Sequence, residues 1–308
     1  RDWSSDVCSS DLLVFDNPGN LCYANASITA FVWACLSRQT FEYDDWGSSA
    51  ETFISMLSNT DNPYVLDQQS WFQDLVAPWI TQDSQADSAE FTSLLMQWVQ
   101  PPAVCCLWQR RWLQGENVLI HDYGARHHPL TLQLHPSQTT DGIARLTDLL
   151  RCWHVEMGMQ AGLIQAPELL CVHIDRMART GPNLIQKQQI PVIFTGLIAV
   201  PTFVQQGIEC VWNQYYAVAA FAHYGEDNAG HYQALLRTTD TKGNAERSCW
   251  LHCDDCRRPT PCTEIPAGFH AGVTCLWLCR SDVMELHPWK HVVPQAPHIG
   301  GLMQMLAA

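Results

Sequence analysis

Nine residues, Asn17-Pro18-Gly19-Asn20-Leu21-Cys22-Tyr23-Ala24-Asn25, run into the apolar stretch from Ala26 to Leu36 and constrain this chain more than any other segment. Pro18 fixes one φ, Gly19 frees the next, and Asn20 tolerates a left-handed backbone, so the chain must turn tightly there. From Tyr23 on, Tyr23, Ser27, Ala30, Phe31 and Ala34 recur at helical spacing, and a buried helix is predicted to begin at or just after Cys22. A helix start offers N–H groups without intrahelical partners and the positive end of the backbone dipole, and both favour a thiolate, the nucleophilic form of cysteine. The competing reading is a small core cysteine, because free cysteine is among the most buried residue types and one Cys carries little specificity.

The remaining composition narrows the classes. The 308 residues are 47% hydrophobic and 16% charged, which suits a large globular domain. Asp and Glu number 31 against 17 Lys and Arg, a formal charge of −14 that argues against nucleic acid as a main partner. The 14 cysteines lack the regular spacing of a secreted disulfide scaffold and are expected to be reduced thiols in a cytoplasmic or nuclear setting. The longest apolar run, Ile190 to Val204, is broken by Pro191, Gly196 and Pro201, so no membrane span is expected. Residues 1–12, RDWSSDVCSSDL, resemble a translated sequencing-library adapter; they are expected to be foreign, with the natural N-terminus missing.

Along the chain, Phe91 to Val99 reads as a second helix stopped by Pro101-Pro102, with Asp87 and Glu90 spaced as an N-cap and its capping-box partner. Ile143 to His154 reads as helical. Val118 to Tyr123, Leu130 to Leu134, Leu169 to Ile174 and Ile190 to Phe194 read as strands. Tyr215 to Phe221 and Tyr232 to Leu236 read as a hairpin joined by the loop Tyr224 to Gly230, and Trp250 to Cys253 and Val273 to Cys279 complete a mostly antiparallel sheet. Helices first and strands later imply an α+β fold, the cysteine helix packed on a sheet that carries its base. Residues 13–280 are expected to form the catalytic domain and 281–308 a tail.

A cysteine nucleophile needs a base and a group that orients the base. His231 lies between Gly230 and Tyr232 at the edge of the hairpin loop, and Asp254-Asp255 follow the next short strand, where a carboxylate can fix an imidazole tautomer. Strand alternation points Asp255 away from Asp254.

These residues reach a family. Asn17-x-Gly19-Asn20-x-Cys22-Tyr23-x-Asn25, Gln85-x-Asp87-x-x-Glu90-Phe91, Leu169-x-x-Val172-His173-Ile174-x-Arg176, Gly230-His231-Tyr232-x-Ala234 and Trp250-x-x-x-Asp254-Asp255 resemble, in order, the boxes of the ubiquitin-specific proteases. The resemblance implies a papain-like cysteine peptidase fold and a thiol-dependent deubiquitinase that cleaves after ubiquitin's C-terminal glycine through an acyl-enzyme. It further implies Cys22 as nucleophile, His231 as base, Asp254 as its orienting group and Asn17 as an oxyanion-hole donor. Gln85, Asp87, Glu90, His223 and Tyr232 would bind substrate, and Asp255 is a secondary candidate. The alternatives are a catalytically silent ubiquitin-binding scaffold and a protease for a ubiquitin-like modifier.

Departures are present as well. Val14-Phe15 stands for the usual Gly-Leu, Leu21 for Thr, Ser88 for Ala and Met177 for Phe. Between Phe91 and Leu170 only Cys105, Cys106 and Cys152 occur, so the fingers region is expected to be reduced or zinc-free. Cys249, Cys253, Cys256 and Cys262, with His252, hold one Cys-x-x-Cys spacing where a structural zinc site usually needs two, and no metal or other cofactor is expected.

Overall fold

Helix α1 (Cys22–Leu36) is apolar around most of its circumference, and such a helix has to lie inside a domain. Every residue of it except Thr29 is buried. On one side Tyr23 meets Phe91 edge to face at 5.5 Å between centroids. On another, Phe31 packs on Trp277 at 5.3 Å, and Trp33 Nε1 donates to the Arg237 carbonyl at 2.9 Å. Each buried large side chain contributes about 1.5–3 kcal/mol, which outweighs the modest helix propensity of the β-branched and aromatic residues in this segment.

The computed structural model describes residues 15–17, 20–38, 64–77, 87–156, 158–181, 184–226, 229–239, 248–255, 257 and 259–286. Four further α-helices follow α1 among them: α2 (Ser70–Val76), α3 (Ser88–Val99), α4 (Leu146–His154) and α5 (Ala267–Gly272). The longer strands are β1 (Trp108–Gln114), β2 (Asn117–Tyr123), β3 (Leu130–Gln133), β4 (Met159–Leu163), β5 (Leu169–Asp175), β6 (Met177–Gly181), β7 (Leu184–Lys187), β8 (Ile198–Phe203), β9 (Cys210–Glu226), β10 (Ala229–Thr239), β11 (Ser248–Cys253), β12 (Thr260–Cys262) and β13 (Val273–Arg280). The main sheet runs β12-β11-β10-β9-β8-β4-β1-β2, with β13 beside β9 and β5. Its pairings are antiparallel except β3 with β5 and one residue pair of β8 with β4. No described helix is long and apolar enough to cross a membrane.

The 17-residue strand β9 organises this sheet. Its first part, from Cys210 to Tyr215, pairs with β8. Its last part, from Ala219 to Glu226, pairs with β10, and β13 lies along its other edge. One strand therefore ties the β4-β1-β2 extension to the hairpin that carries His231.

A buried arginine holds the neighbouring connections. The Arg176 guanidinium donates to four carbonyls, of Val273 at 2.7 Å, Gln188 at 3.0 Å, Ile190 at 2.8 Å and His270 at 3.0 Å. Burial lowers its pKa to about 10, and it remains a cation at neutral pH. Its planar fork suits several fixed acceptors, which a lysine could not reach together.

The structure adjusts several boundaries. The helix expected at Ile143 to His154 begins at Leu146, because Ala144 and Arg145 pair in parallel with Val192 and Ile193, the only strand residues of the stretch Ile190 to Phe194. The β9–β10 ladder continues to Glu226 and Ala229, so His231 lies inside a paired strand rather than at a loop edge. Helix α3 starts at Ser88 and is capped by Asp87, whose carboxylate accepts from the Ala89 N–H at 2.7 Å. It ends with a left-handed Gln100 ahead of the two prolines. Strands β1, β4, β6, β7, β8 and β12 and helices α2 and α5 lie outside the expected elements; their segments carry little clear periodicity. The first residues after β13 stay on the domain, with Glu285 N–H bonded to the Ser37 carbonyl at 3.0 Å and Met284 bridged to Arg38. The expectations for residues 1–12 and for Gln85 lie outside the described residues.

Candidate active site

The start of α1 is fixed by Asn17. Its Oδ1 accepts from the Leu21 N–H at 3.0 Å, and the first helical bonds then run from Ala24 and Asn25 back to the Leu21 carbonyl. Leu21, the residue before the helix, supplies no side-chain cap. Cys22 is 4% exposed, at the first position of the helix and not in a disulfide.

From the other side of the fold, β11 ends at Cys253 and the chain turns. Asp254 follows the strand with its side chain largely covered, and Asp255 adopts a left-handed φ of 44°. That turn overrides strand alternation. Asp255 does not point away from the site; its Oδ2 accepts from Asn17 Nδ2 at 2.8 Å and its Oδ1 from Asn25 Nδ2 at 2.9 Å. One carboxylate thus ties the residue five before Cys22 to the residue three after it.

His231 lies between the two aspartates. Its Nε2 is hydrogen-bonded to Asp254 Oδ1, and its Nδ1 is 3.7 Å from Asp255 Oδ2, beyond hydrogen-bond reach. The Nδ1 edge therefore faces the side on which Asp255 grips Asn17 and Asn25, the side of the Cys22 helix start. Asp254 is further held by Arg257 Nη1 at 2.9 Å. Burial pushes the Asp254 carboxyl up, but hydrogen bonding and charge from His231, a bond from Gln233 and the nearby Arg257 outweigh it and hold the group below its ordinary value. Gln233 bridges onward, with its Oε1 accepting from His252 Nε2 at 2.9 Å. Burial is the main influence on His252 and lowers its pKa.

Among the described residues, His231, Asp254 and Asp255 form the one group of three potential metal ligands converging within 4.8 Å. Their atoms are already committed: both Asp255 oxygens accept amide N–H groups, and Asp254 is shared by His231 and Arg257. The chemistry of this set is that of a hydrogen-bond relay. Cys249, Cys253, Cys262 and His252 form no such group, and Cys256 is outside the described residues.

Tyr232, next to His231, is buried beside the α3 start. Burial is the main cause that raises its phenol to about 12, with a hydrogen bond to Ser88 acting against it and the nearby Asp87 and Cys22 adding to it. His223, directly across the ladder from Tyr232, lies against its ring at 4.6 Å between centroids. Asp87 and Glu90 are exposed on the first turn of α3.

Asn17, His231, Asp254 and Asp255 are therefore joined by hydrogen bonds and close approach around the start of the Cys22 helix, with Tyr232 and His223 alongside. Sequence reasoning gave no separate role to Asn25, Gln233 or Arg257. Gln233 was within reach of it, since two residues along a strand from His231 it must share the same face. Arg257 is only three positions from Asp254, so its pairing is legible locally; Asn25 depends on the turn at Asp255, which nothing local announces.

Residues 15–265 match the sequence profile of ubiquitin carboxyl-terminal hydrolase. Among solved structures, the chain is similar to the SAGA Ubp8/Sgf11/Sus1/Sgf73 DUB module bound to ubiquitin aldehyde, with a TM-score of 0.59, 13% identity, and 91% of this chain and 71% of that chain covered. It is similar also to an essential yeast splicing factor, with a TM-score of 0.58, 14% identity, and 88% and 70% covered. At such identities these structures speak for the fold. No curated protein matches the chain by sequence. The profile match extends over most of the chain, from the strand before Asn17 to beyond Asp255; the chain belongs to the ubiquitin carboxyl-terminal hydrolase family and is a cysteine-type ubiquitin hydrolase with a papain-like α+β fold.

Proposed function

We propose that the hydrolysis is carried out by Cys22, His231 and Asp254, with Asn17 and Asp255 organising the oxyanion site. The observation that carries this reading is the double grip of Asp255 on Asn17 and Asn25, which brings the helix start bearing Cys22 to the histidine–aspartate pair. Because Nε2 of His231 is engaged by Asp254, Nδ1 is the nitrogen that takes the thiol proton. The Cys22 sulfur attacks the carbonyl of ubiquitin's C-terminal glycine. Collapse of the tetrahedral intermediate expels the amine, which receives the proton from His231. Water, deprotonated by the same nitrogen, then cleaves the thioester. One Asn17 Nδ2 hydrogen is committed to Asp255, which leaves the second for the oxyanion together with the Cys22 N–H.

The partner in this reading is ubiquitin or a ubiquitinated protein. Structural neighbours include a module bound to ubiquitin aldehyde and one bound to monoubiquitin. Asp87 and Glu90, both exposed, suit the arginines near ubiquitin's C-terminus through charge-assisted pairs, and His223 and Tyr232 line the passage for its terminal glycines. The setting proposed is the cytoplasm or nucleus, where thiols such as Cys171 and Cys275, 3.4 Å apart in the core, stay reduced.

The test is a ubiquitin probe with a C-terminal electrophile, paired with turnover of a fluorogenic ubiquitin substrate. Labelling at Cys22, absent in Cys22→Ala, is the expected result. Equal labelling of Cys22→Ala would overturn Cys22 as the nucleophile, and ubiquitin binding without turnover would assign the chain to a binding role instead.

A further inference from the structure

Strands β6 and β7 form a two-stranded sheet of their own outside the main one. Its base is closed by Arg176, whose carbonyl accepts from the Gln188 N–H at 2.8 Å while its guanidinium holds the Gln188 carbonyl. From the last residue of β7, Lys187 reaches across to the catalytic hairpin. Its ammonium is hydrogen-bonded to His223 Nδ1 and lies 3.2 Å from the Gly225 carbonyl.

An ammonium group can only donate, so the nitrogen facing it must be an acceptor. Lys187 thereby selects one state of His223: neutral, with the proton on Nε2. His223 is 6% exposed and has little freedom. One face lies against Tyr232, and its Nε2 edge presses on Gly230 so closely that a Cβ on that residue would fall 2.2 Å from Nε2. Gly230 immediately precedes His231. A chain of contacts therefore runs from Lys187 through the His223 ring to the backbone on either side of the base.

We propose that Lys187 is a positioning residue for the hydrolase reaction. By fixing the tautomer and seat of His223 it sets the path of residues 230–232, and so the place of the His231 imidazole relative to Cys22. The inference rests on the functional reading above for its kinetic consequence, and on the Lys187–His223 contact alone for its structural one. Misplacing a reacting group by a fraction of an ångström is felt mainly in the chemical step, so loss of Lys187 should appear in kcat rather than KM.

The experiment compares Lys187→Met and Lys187→Arg on the full chain, using a fluorogenic ubiquitin substrate and nitrogen-15 spectra of labelled histidine. Lys187→Met is expected to lower kcat about tenfold with KM within about twofold, and to shift the His223 ring nitrogens away from the Nε2–H pattern. Lys187→Arg, which keeps a donor, should recover most of the rate and the wild-type pattern, and urea midpoints show whether each variant is folded. A loss confined to KM, a Lys187→Arg variant as impaired as Lys187→Met, or a His223 tautomer unchanged in Lys187→Met would each overturn the proposal. If the wild type itself turns over no ubiquitin substrate, the functional reading fails, while the tautomer measurement still decides the role of Lys187.

Discussion

Asn17 and Asp255 stand 238 positions apart in the chain and are joined by a hydrogen bond of 2.8 Å. The bond matters because Asp255 also holds Asn25, and the two asparagines flank Cys22. A single carboxylate thus fixes the turn before the helix and the first turn within it.

Asp255→Ala is therefore expected to lower kcat/KM by about 10²-fold or more, the scale of losing one oxyanion donor. It leaves two amide donors without their acceptor, so the Asn17 side chain is held only at its Oδ1, by the Leu21 N–H. Asp255→Asn, which keeps one oxygen, should lose less. Steady-state kinetics on a fluorogenic ubiquitin substrate check this; near-native turnover in Asp255→Ala would show that the clamp is dispensable.

Asp254→Asn should cost about 10³–10⁴ in kcat, since the imidazole loses the anion that sets its tautomer and stabilises its protonated form. The pH dependence of stability follows from sign. The folded-state pKa of Asp254 is depressed, so its contribution is complete above the unfolded value and is lost as pH falls through the folded one. Urea unfolding should show a constant stability gap between wild type and Asp254→Asn above about pH 5, and a shrinking gap below it. A gap that closed between pH 6 and 8 would count against a depressed carboxyl.

Arg176→Met should destabilise the fold by about 3 kcal/mol or more, because four buried or part-buried carbonyls lose their donor at once. Arg176→Lys should rescue little, since a single ammonium cannot span the four acceptors. The urea midpoint with its slope measures both; a shift under about 1 kcal/mol would mean that the carbonyls find other partners.

Gly230→Ala tests close approach at the hairpin. The added Cβ would fall 2.2 Å from both His223 Nε2 and the Tyr224 carbonyl oxygen, and the backbone oxygen cannot swing aside. Strands β9 and β10 must then separate beside His231. Activity should drop by about 10²-fold or more while far-ultraviolet circular dichroism stays close to wild type; a variant with native turnover would show that the hairpin has slack.

Much of this protein was determined by its sequence alone, and for local reasons. The all-round apolar segment to Leu36 and the short apolar runs of β5, β9, β10 and β13 each specify their conformation through neighbours a few positions away. Ordered motifs then sufficed to indicate the family and the α+β class, and they named Asn17, Cys22, His231 and Asp254 as candidate site residues. What only the tertiary structure decided depends on contacts between distant segments. The left-handed backbone at Asp255 carries its carboxylate across to Asn17 and Asn25, and alternation along β11 points the other way. The Arg176 fork gathers carbonyls from two distant segments, residues 188–190 and 270–273, and Lys187 reaches His223 from a hairpin outside the main sheet. No local periodicity encodes such meetings, because their energy is gained only when the chain has already brought both partners together.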